Sequence, residues 1–391
     1  MLALRLARGA HPLVQLRRLL VAGASAGTGF LLLCTLAYAM RHPGAGSVLR
    51  LAWCVAPLAA TVYFAVAVAR ADPSTRPRAG LSAVGLGPGR LMVLAAISTA
   101  LACVLGSLVA LLGFLHLRGD LTGLPFDGAA AELLAADRPL PLAAALTLLT
   151  VVPVAASAAS AAALRPASDK AGASGARTAE AAQEPDAPAP TPSGLPWGVA
   201  LLAAGLAVET YAGRSGAGSG LPLPGGGVTG DPAGVLAGWA LTALGLALAG
   251  PGLTHLCGRI LQAARPGAVR LLAGRVLQEE ARRIGRPLGV LCAVASGTYA
   301  CAVLYAGPRP GIGPLTALGG LLVAGCAVLT LLTAAVEARQ SRADTTAALL
   351  RLGAPATVLR GSAALRAGAL TAVFAPLTWV VAELAALPLT R

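Results

Sequence analysis

Long apolar stretches, separated by short polar segments, alternate along most of the chain. Apolar stretches of about 18 residues or more can cross roughly 30 Å of hydrocarbon as helices, which satisfy their own backbone hydrogen bonds. The pattern therefore predicts an all-α polytopic membrane protein with about nine transmembrane helices. The predicted spans are 19–40, 49–69, 91–115, 139–164, 196–212, 233–256, 287–306, 314–336 and 362–387.

The composition supports a membrane protein and singles out one region. Of the 391 residues, 56% are hydrophobic and 12% are charged, with a mean hydropathy of +0.75, whereas soluble domains carry about a quarter charged residues. Residues 165–195 are instead polar and rich in proline, so they cannot bury enough apolar surface to fold. We predict that 165–195 is a disordered cytoplasmic linker.

Two short elements occur twice, at nearly the same spacing. Leu81-Ser-Ala-Val84-Gly85 is similar to Leu349-Leu-Arg-Leu352-Gly353, 268 residues later, and Leu2-Ala-Leu-Arg5 to Leu272-Ala-Gly-Arg275, 270 residues later. The similar offsets indicate a duplicated membrane unit. We divide the chain into a first unit with about four spans, the linker, two connecting spans, and a second unit with about three spans, at 1–164, 165–195, 196–256 and 257–391.

The basic residues predict the orientation of the spans. If the N-terminus is cytoplasmic, 23 of the 30 basic residues fall in inner segments, as the positive-inside rule requires. The net charge of +14 then calls for no nucleic acid, because attraction to the lipid bilayer accounts for it. Arg17-Arg18 and Ala37-Tyr38-Ala39 also suit a signal peptide, but the matching span at 287–306 cannot be one, which favours a retained helix.

Motifs for hydrolysis and metal binding are missing from the sequence. The single lysine, Lys170, lies in the linker, and there is no Gly-x-x-x-x-Gly-Lys-Ser/Thr loop, Gly-x-Ser-x-Gly elbow or His-Glu-x-x-His helix. The seven cysteines and four histidines lack the spacing of metal ligands. We expect the chain to be no enzyme by itself and to use no metal or cofactor.

Acidic and small residues within the spans are weaker signals. Glu209, Glu337 and Glu383 lie near span ends, where snorkelling or solvation is the favoured interpretation over a proton relay. Gly23-x-x-x-Gly27 and Gly234-x-x-x-Gly238 permit close helix approach. Such contacts suit packing within one chain or a homo-oligomer, and both remain open.

A charged segment separates the last two spans. Residues 337–353 predict a short cytoplasmic helix, on which Leu349, Leu352 and Val358 would form an apolar stripe flanked by arginines. Two interpretations remain open. The helix is either a surface that binds another protein or an amphipathic helix that lies flat on the bilayer.

This charged segment, followed by Leu-x-x-Leu-Gly-Ala and a long apolar helix, resembles the FtsX-like permease family of ABC transporters. Leu272-Ala-Gly-Arg275 and Arg282-Arg283 are similar to the arginine-bearing helix that opens a permease unit in this family. The resemblance covers about 1–116 and 268–388 and makes the two copies permease-like units. By position, the residues that couple to an ATPase are Leu349, Arg351, Leu352 and Gly353, with Leu81, Val84 and Gly85 in the first copy.

The resemblance implies the membrane-spanning subunit of an ABC transporter, and the Ala- and Arg-rich, Lys-poor composition suggests a bacterial plasma membrane. A separate ATPase, acting as a dimer, would drive export or mechanical signalling across the membrane. The first copy is interrupted by Pro73 and Pro77, and the sequence stops at Arg391 before a fourth helix of the second unit, through truncation or because that unit is incomplete. An ATP-independent secondary carrier or membrane scaffold is the alternative. Carriers usually contain inverted repeats, whereas both copies here begin on the inner side, which favours the permease.

The predicted orientation can be tested by labelling in intact cells. A cysteine introduced at Ser168 should be shielded from a membrane-impermeant thiol reagent, because the linker is cytoplasmic, whereas a cysteine at Gly218 should be labelled. The reverse labelling would contradict the nine-span topology.

Overall fold

The computed structural model describes residues 12–72, 88–121, 127–165, 192, 194–214, 222–223, 226–227, 232–263, 267–305, 313–353 and 355–390. These residues form eleven helices and one two-residue antiparallel ladder, Pro222–Leu223 (β1) with Gly226–Gly227 (β2). The helices are α1 (Pro12–Arg41), α2 (Ala45–Trp53), α3 (Val55–Ala71), α4 (Pro88–Arg118), α5 (Leu142–Ala163), α6 (Leu195–Arg214), α7 (Pro232–Ala263), α8 (Ala268–Tyr305), α9 (Pro314–Ser341), α10 (Ala343–Arg351) and α11 (Ala356–Thr390).

Nine helical segments within these ranges are long and apolar enough to cross a membrane. The prediction of an all-α polytopic membrane protein is therefore confirmed. Several helices exceed the predicted spans, most of all α8, whose 38 residues extend over about 57 Å at 1.5 Å per residue. This length is well above the roughly 30 Å of hydrocarbon, so the arginine-bearing segment from residue 268 continues directly into the span.

The second span is broken near its start. α2 and α3 meet at Cys54, whose N–H bonds to the carbonyl of Leu51 in a tighter turn. Pro57 lies in the first turn of α3; it has no N–H to donate to Trp53, and its ring crowds the carbonyl four residues earlier. The break therefore follows from one proline in an otherwise continuous apolar run.

The packing of the chain defines two compact units. The first comprises Met1–Ser168 and Gly313–Thr330, and the second comprises Asp169–Ile312 and Leu331–Arg391. α9 contributes to both, because its residues up to Thr330 belong to the first unit and the remainder to the second. The two connecting spans, α6 and α7, belong to the second unit.

α1 lies at the centre of the first unit. Its fully buried residues Leu33 and Ala37 pack with Phe114 of α4. Gly106 of α4 lies against the backbone of Ala22, where a side chain would collide. Buried hydroxyls add specific bonds, since Ser25 donates to the carbonyl of Cys103 at 2.9 Å. These contacts make α1 an integral part of this unit.

Glycines bring the helices of the second unit into backbone contact. On α6, Gly205 faces Gly238 of α7, and a Cβ on Gly238 would lie 2.9 Å from the carbonyl oxygen of Gly205. Gly250 of α7 meets Gly285 of α8 in the same way. Helices in a bilayer gain little from the hydrophobic effect when they associate, because lipid tails are as apolar as their side chains. The close approach of these backbones stabilises the packed helices through van der Waals contact instead. Gly238, singled out by the sequence, therefore packs within the chain.

α8 also packs along α11, with the two helices parallel. Ser296 donates to the carbonyl of Thr378 at 3.2 Å, and the hydroxyl of Tyr299 donates to Glu383 at 2.8 Å. Leu246 of α7 and Phe374 of α11 lie in the cluster that these helices bury. α8 thus contacts α7 on one face and α11 on another.

Replacing Gly285 with alanine should destabilise the second unit. The added Cβ would lie 2.6 Å from Cα of Pro251 and 2.7 Å from the carbonyl oxygen of Gly250, and overpacking of this kind costs about 1–3 kcal/mol. Gly297→Ala, in the same helix with no atom within 4 Å of the added Cβ, is the matched control and should be neutral or slightly stabilising. Melting temperatures in mild detergent would compare them, and equal values would contradict the backbone contact.

Candidate functional site

A short helix lies between α9 and α11, as predicted, but it is shorter than the predicted segment 337–353, because residues 337–341 belong to α9. α10 is separated from α9 by Arg342 and ends at Leu352, which is its C-cap. Gly353 follows with φ +88°, a left-handed conformation that glycine adopts without strain. The N–H of Gly353 bonds to the carbonyl of Leu350 at 3.1 Å. The chain is therefore turned sharply before α11 begins at Ala356.

The predicted coupling residues differ in their exposure. Leu352 is 84% exposed and Leu350 48% exposed, whereas Leu349 and Val358 are half-buried. Leu352 lies beyond the last helical residue, so Leu349, Leu352 and Val358 do not form one exposed stripe on α10. The apolar surface presented here consists of Leu350 and Leu352, beside the exposed Arg351.

The residues predicted for the first copy lie outside the described part of the chain. Leu81, Val84 and Gly85 fall in the undescribed stretch 73–87. The described chain stops just before it, at Asp72, which forms an ion pair with Arg18 of α1 at 2.9 Å. The carboxylate of Asp72 is largely buried and the Arg18 side chain is exposed.

A charged cluster fixes the end of α9 to α8. The Nε of Arg342 lies 2.9 Å from the carboxylate of Glu280, in an ion pair, and its N–H donates to the carbonyl of Ala338 at 3.0 Å. Arg283 lies 3.8 Å from the carboxylate of Glu337 and donates to the hydroxyl of Ser341 at 3.1 Å. We call these five side chains, Glu280, Arg283, Glu337, Ser341 and Arg342, the hinge cluster. α10 therefore begins at a point that is tied to α8.

The sequence predicts neither a role for Glu280 nor its pairing with Arg342. The two residues are 62 positions apart, and α8 carries six other charged residues, so composition alone does not indicate Glu280 as the partner of Arg342. The available signal is the spacing of Glu280 and Arg283, which places opposite charges on one helix face. Their partners on α9 follow only from how the helices pack.

Glu209 of α6 is buried rather than solvated. Its side chain is 0% exposed, and one carboxyl oxygen accepts a bond from the hydroxyl of Thr242 of α7 at 3.0 Å. Gly238 leaves the space that Glu209 fills. The expectation of snorkelling is therefore wrong for Glu209, because its position on α6 turns it toward α7.

Glu383 lies near the end of α11 in a different setting. It is half-buried and accepts the bond from Tyr299. The ring of Tyr299 lies 5.8 Å from that of Trp379, at an angle of 48°, and the Trp379 side chain is exposed. A carboxylate, a phenol and an indole thus meet where α8 and α11 run side by side.

Acidic residues between α4 and α5, Asp137 and Asp120, pair with arginines of the first unit. Arg41 donates to Asp137 at 2.6 Å, and this bond holds the pKa of Asp137 below its usual value. Asp120 lies 3.3 Å from the buried Arg118. These ion pairs close the loop over the helix ends.

In the described ranges, no group of three or more His, Cys, Asp or Glu side chains could hold a metal ion.

Comparison with protein-family models, with curated proteins and with solved structures finds no match to this chain.

Breaking the Glu280–Arg342 pair should destabilise the second unit. Arg342→Gln leaves the carboxylate of Glu280, whose side chain is 11% exposed, without its charged partner. Loss of one partner of a buried pair costs about 3–5 kcal/mol, and partial exposure of Arg342 reduces the expected cost to about 1–3 kcal/mol. Melting in mild detergent would measure the change.

Arg275→Gln is the matched control on α8. Arg275 lies 4.0 Å from Glu279 in an exposed pair, which contributes about 0.5 kcal/mol or less. The double change Glu280→Gln with Arg342→Gln should recover part of the loss, because no buried charge is left alone. If Arg342→Gln and Arg275→Gln melt alike, the hinge cluster does not support the fold.

Proposed function

We propose that this chain is the membrane-spanning permease subunit of an ABC transporter, which couples ATP hydrolysis by a separate ATPase to export or to mechanical signalling across the membrane. The observation that carries the proposal is α10, a short helix between two spans that exposes Leu350 and Leu352. Exposed leucines beside a basic residue suit a protein contact in which an apolar centre is surrounded by charge.

The hinge cluster supports transmission of movement from α10. A partner that pushes on α10 acts on the end of α9, which Arg342 and Arg283 tie to α8. α8 then continues for the full width of the bilayer as one helix. Movement at the partner's surface would reach the opposite side of the membrane through this helix.

A similar pairing in the first unit supports the duplication. Asp72 and Arg342 both follow the second long helix of their copy, 270 residues apart, which is the spacing of the repeat. Each forms an ion pair of 2.9 Å with the first helix of its copy: Asp72 with Arg18, and Arg342 with Glu280. The first helix supplies the base in the first copy and the acid in the second. Their partners on the first helices, Arg18 and Glu280, are 262 residues apart instead of 270. Glu280 therefore lies about two helical turns nearer the start of its helix than the position equivalent to Arg18.

The test of this function is loss of the ATPase from the purified chain. In Leu352→Glu, docking would bury an unpaired charge, which costs several kcal/mol. Association should therefore fall at least about a hundredfold, since each 1.4 kcal/mol is about a factor of ten. The measurement is the amount of ATPase, identified by mass spectrometry and ATP hydrolysis, that co-purifies in mild detergent with the tagged chain from its native membrane.

Leu133→Glu provides the matched control. Leu133 is 76% exposed in the loop between α4 and α5, which the predicted topology places on the outer side, so the same change should leave the ATPase bound. Two results would contradict the proposal: no ATPase with the unaltered chain, or full retention by Leu352→Glu. In either case the ATP-independent carrier or scaffold becomes the better account.

A further inference from the structure

The contact of Tyr299, Trp379 and Glu383 lies inside the membrane-spanning part of the second unit. Glu383 is four residues from Leu387, where the span of α11 ends, which is about 6 Å along the helix. We call these three residues the aromatic–carboxylate site. An ionisable residue at membrane depth is a functional candidate by default, and this one is held in place by a neighbouring helix.

The geometry fixes the carboxylate beside an exposed ring. Two bonds from α8 to backbone carbonyls of α11, made by Cys292 and Ser296, hold the helices in register below the site. The bond from Tyr299 then occupies one oxygen of Glu383, at 2.8 Å. Trp379 is 63% exposed, so one face of the site is open on the surface of the chain.

The surroundings of the site are apolar. On the same stretch of α11, the exposed large side chains are Val380, Leu384 and Leu387. A negative charge next to aromatic rings attracts a cation, because the ring faces carry a negative quadrupole and because the low dielectric strengthens the attraction. The apolar side chains would contact the hydrophobic substituents of such a cation.

An inorganic cation fits this site poorly. Calcium takes six to eight oxygen ligands and magnesium about six, whereas the site offers the oxygens of one carboxylate and one phenol. Weakly hydrated organic cations gain from aromatic faces instead. An interfacial belt of tryptophan and tyrosine would account for Tyr299 and Trp379, but not for a carboxylate that bonds to one of them.

We propose that the aromatic–carboxylate site binds a hydrophobic organic cation, such as a quaternary ammonium or phosphonium compound. The carboxylate of Glu383 neutralises the charge, Tyr299 orients the carboxylate, and Trp379 covers the cation with its ring. As the substrate class of an exporter, this ligand rests on the proposed function. Binding itself requires only α8 and α11, so it can be tested without an ATPase.

The experiment measures binding of radiolabelled tetraphenylphosphonium to the purified full-length chain in dodecyl maltoside. The unaltered chain should bind it saturably, and neutral triphenylphosphine oxide should not displace it. Glu383→Gln should weaken binding at least tenfold, because it removes the charge while retaining an oxygen for the bond from Tyr299. Trp379→Leu should also weaken binding, because it removes the ring.

Two control variants separate this site from general effects. Glu209→Gln removes a buried carboxylate of α6, away from the site, and Trp197→Leu removes another tryptophan that is largely exposed. Both variants should bind as the unaltered chain does. Gel filtration would establish that each variant is folded, and Trp379→Leu carries the test if Glu383→Gln aggregates. Absence of saturable binding, full binding by both site variants, or an equal loss in the controls would overturn the proposal.

These outcomes are distinct from those of the ATPase test. Saturable binding without any co-purifying ATPase would retain the cation site and reject the permease. An ATPase that binds through Leu352, without cation binding, would retain the permease and reject this substrate class.

Discussion

Backbone contact between glycines is the interaction on which the second unit depends. In a bilayer, apolar side chains gain little by leaving lipid for protein, so helices associate where small residues let their backbones touch. Gly205 with Gly238, and Gly250 with Gly285, place α6, α7 and α8 side by side in this way. The unit therefore has to act through surfaces that these contacts leave free, such as Leu350 and Leu352 at α10 and the exposed side of α11 at Trp379.

α8 connects the two regions of functional interest. At Glu280 and Arg283 it carries the hinge cluster, and at Tyr299 it carries one part of the aromatic–carboxylate site. Glu280 and Tyr299 are 19 positions apart, which corresponds to about 28 Å of helix, close to the thickness of the hydrocarbon core. Under the proposed function, one continuous helix would join the surface that a partner moves to the site that holds a ligand.

Two acidic residues within the spans, Glu209 and Glu383, show that helix packing decides the environment of a side chain. Glu209 and Glu383 have similar positions, a few residues from the C-terminal ends of their helices, and the sequence suggests the same role for both. Glu209 faces α7, where Gly238 leaves space and Thr242 donates a bond. Glu383 faces α8 at a tyrosine and next to an exposed tryptophan. Only the second arrangement leaves an open face for a ligand.

The sequence by itself determined that this protein lies in a lipid bilayer and which segments cross that bilayer. Runs of apolar residues predicted nine spans, because any segment in hydrocarbon must satisfy its own backbone bonds, and the helices α1 to α11 include all nine. The charged segment after α9 also predicted a short helix, since local periodicity and a following glycine are sufficient for α10 and its end at Gly353.

Tertiary structure alone decided which residues meet. Arg342 and Glu280, or Tyr299 and Glu383, are separated by 62 and 84 positions, and no local pattern specifies such a pairing. In an apolar chain nearly every helix face is hydrophobic, so periodicity does not indicate which face touches which neighbour. That choice is made by the few glycines, hydroxyls and charges that fit together when the helices pack, because only there does one arrangement differ in energy from another.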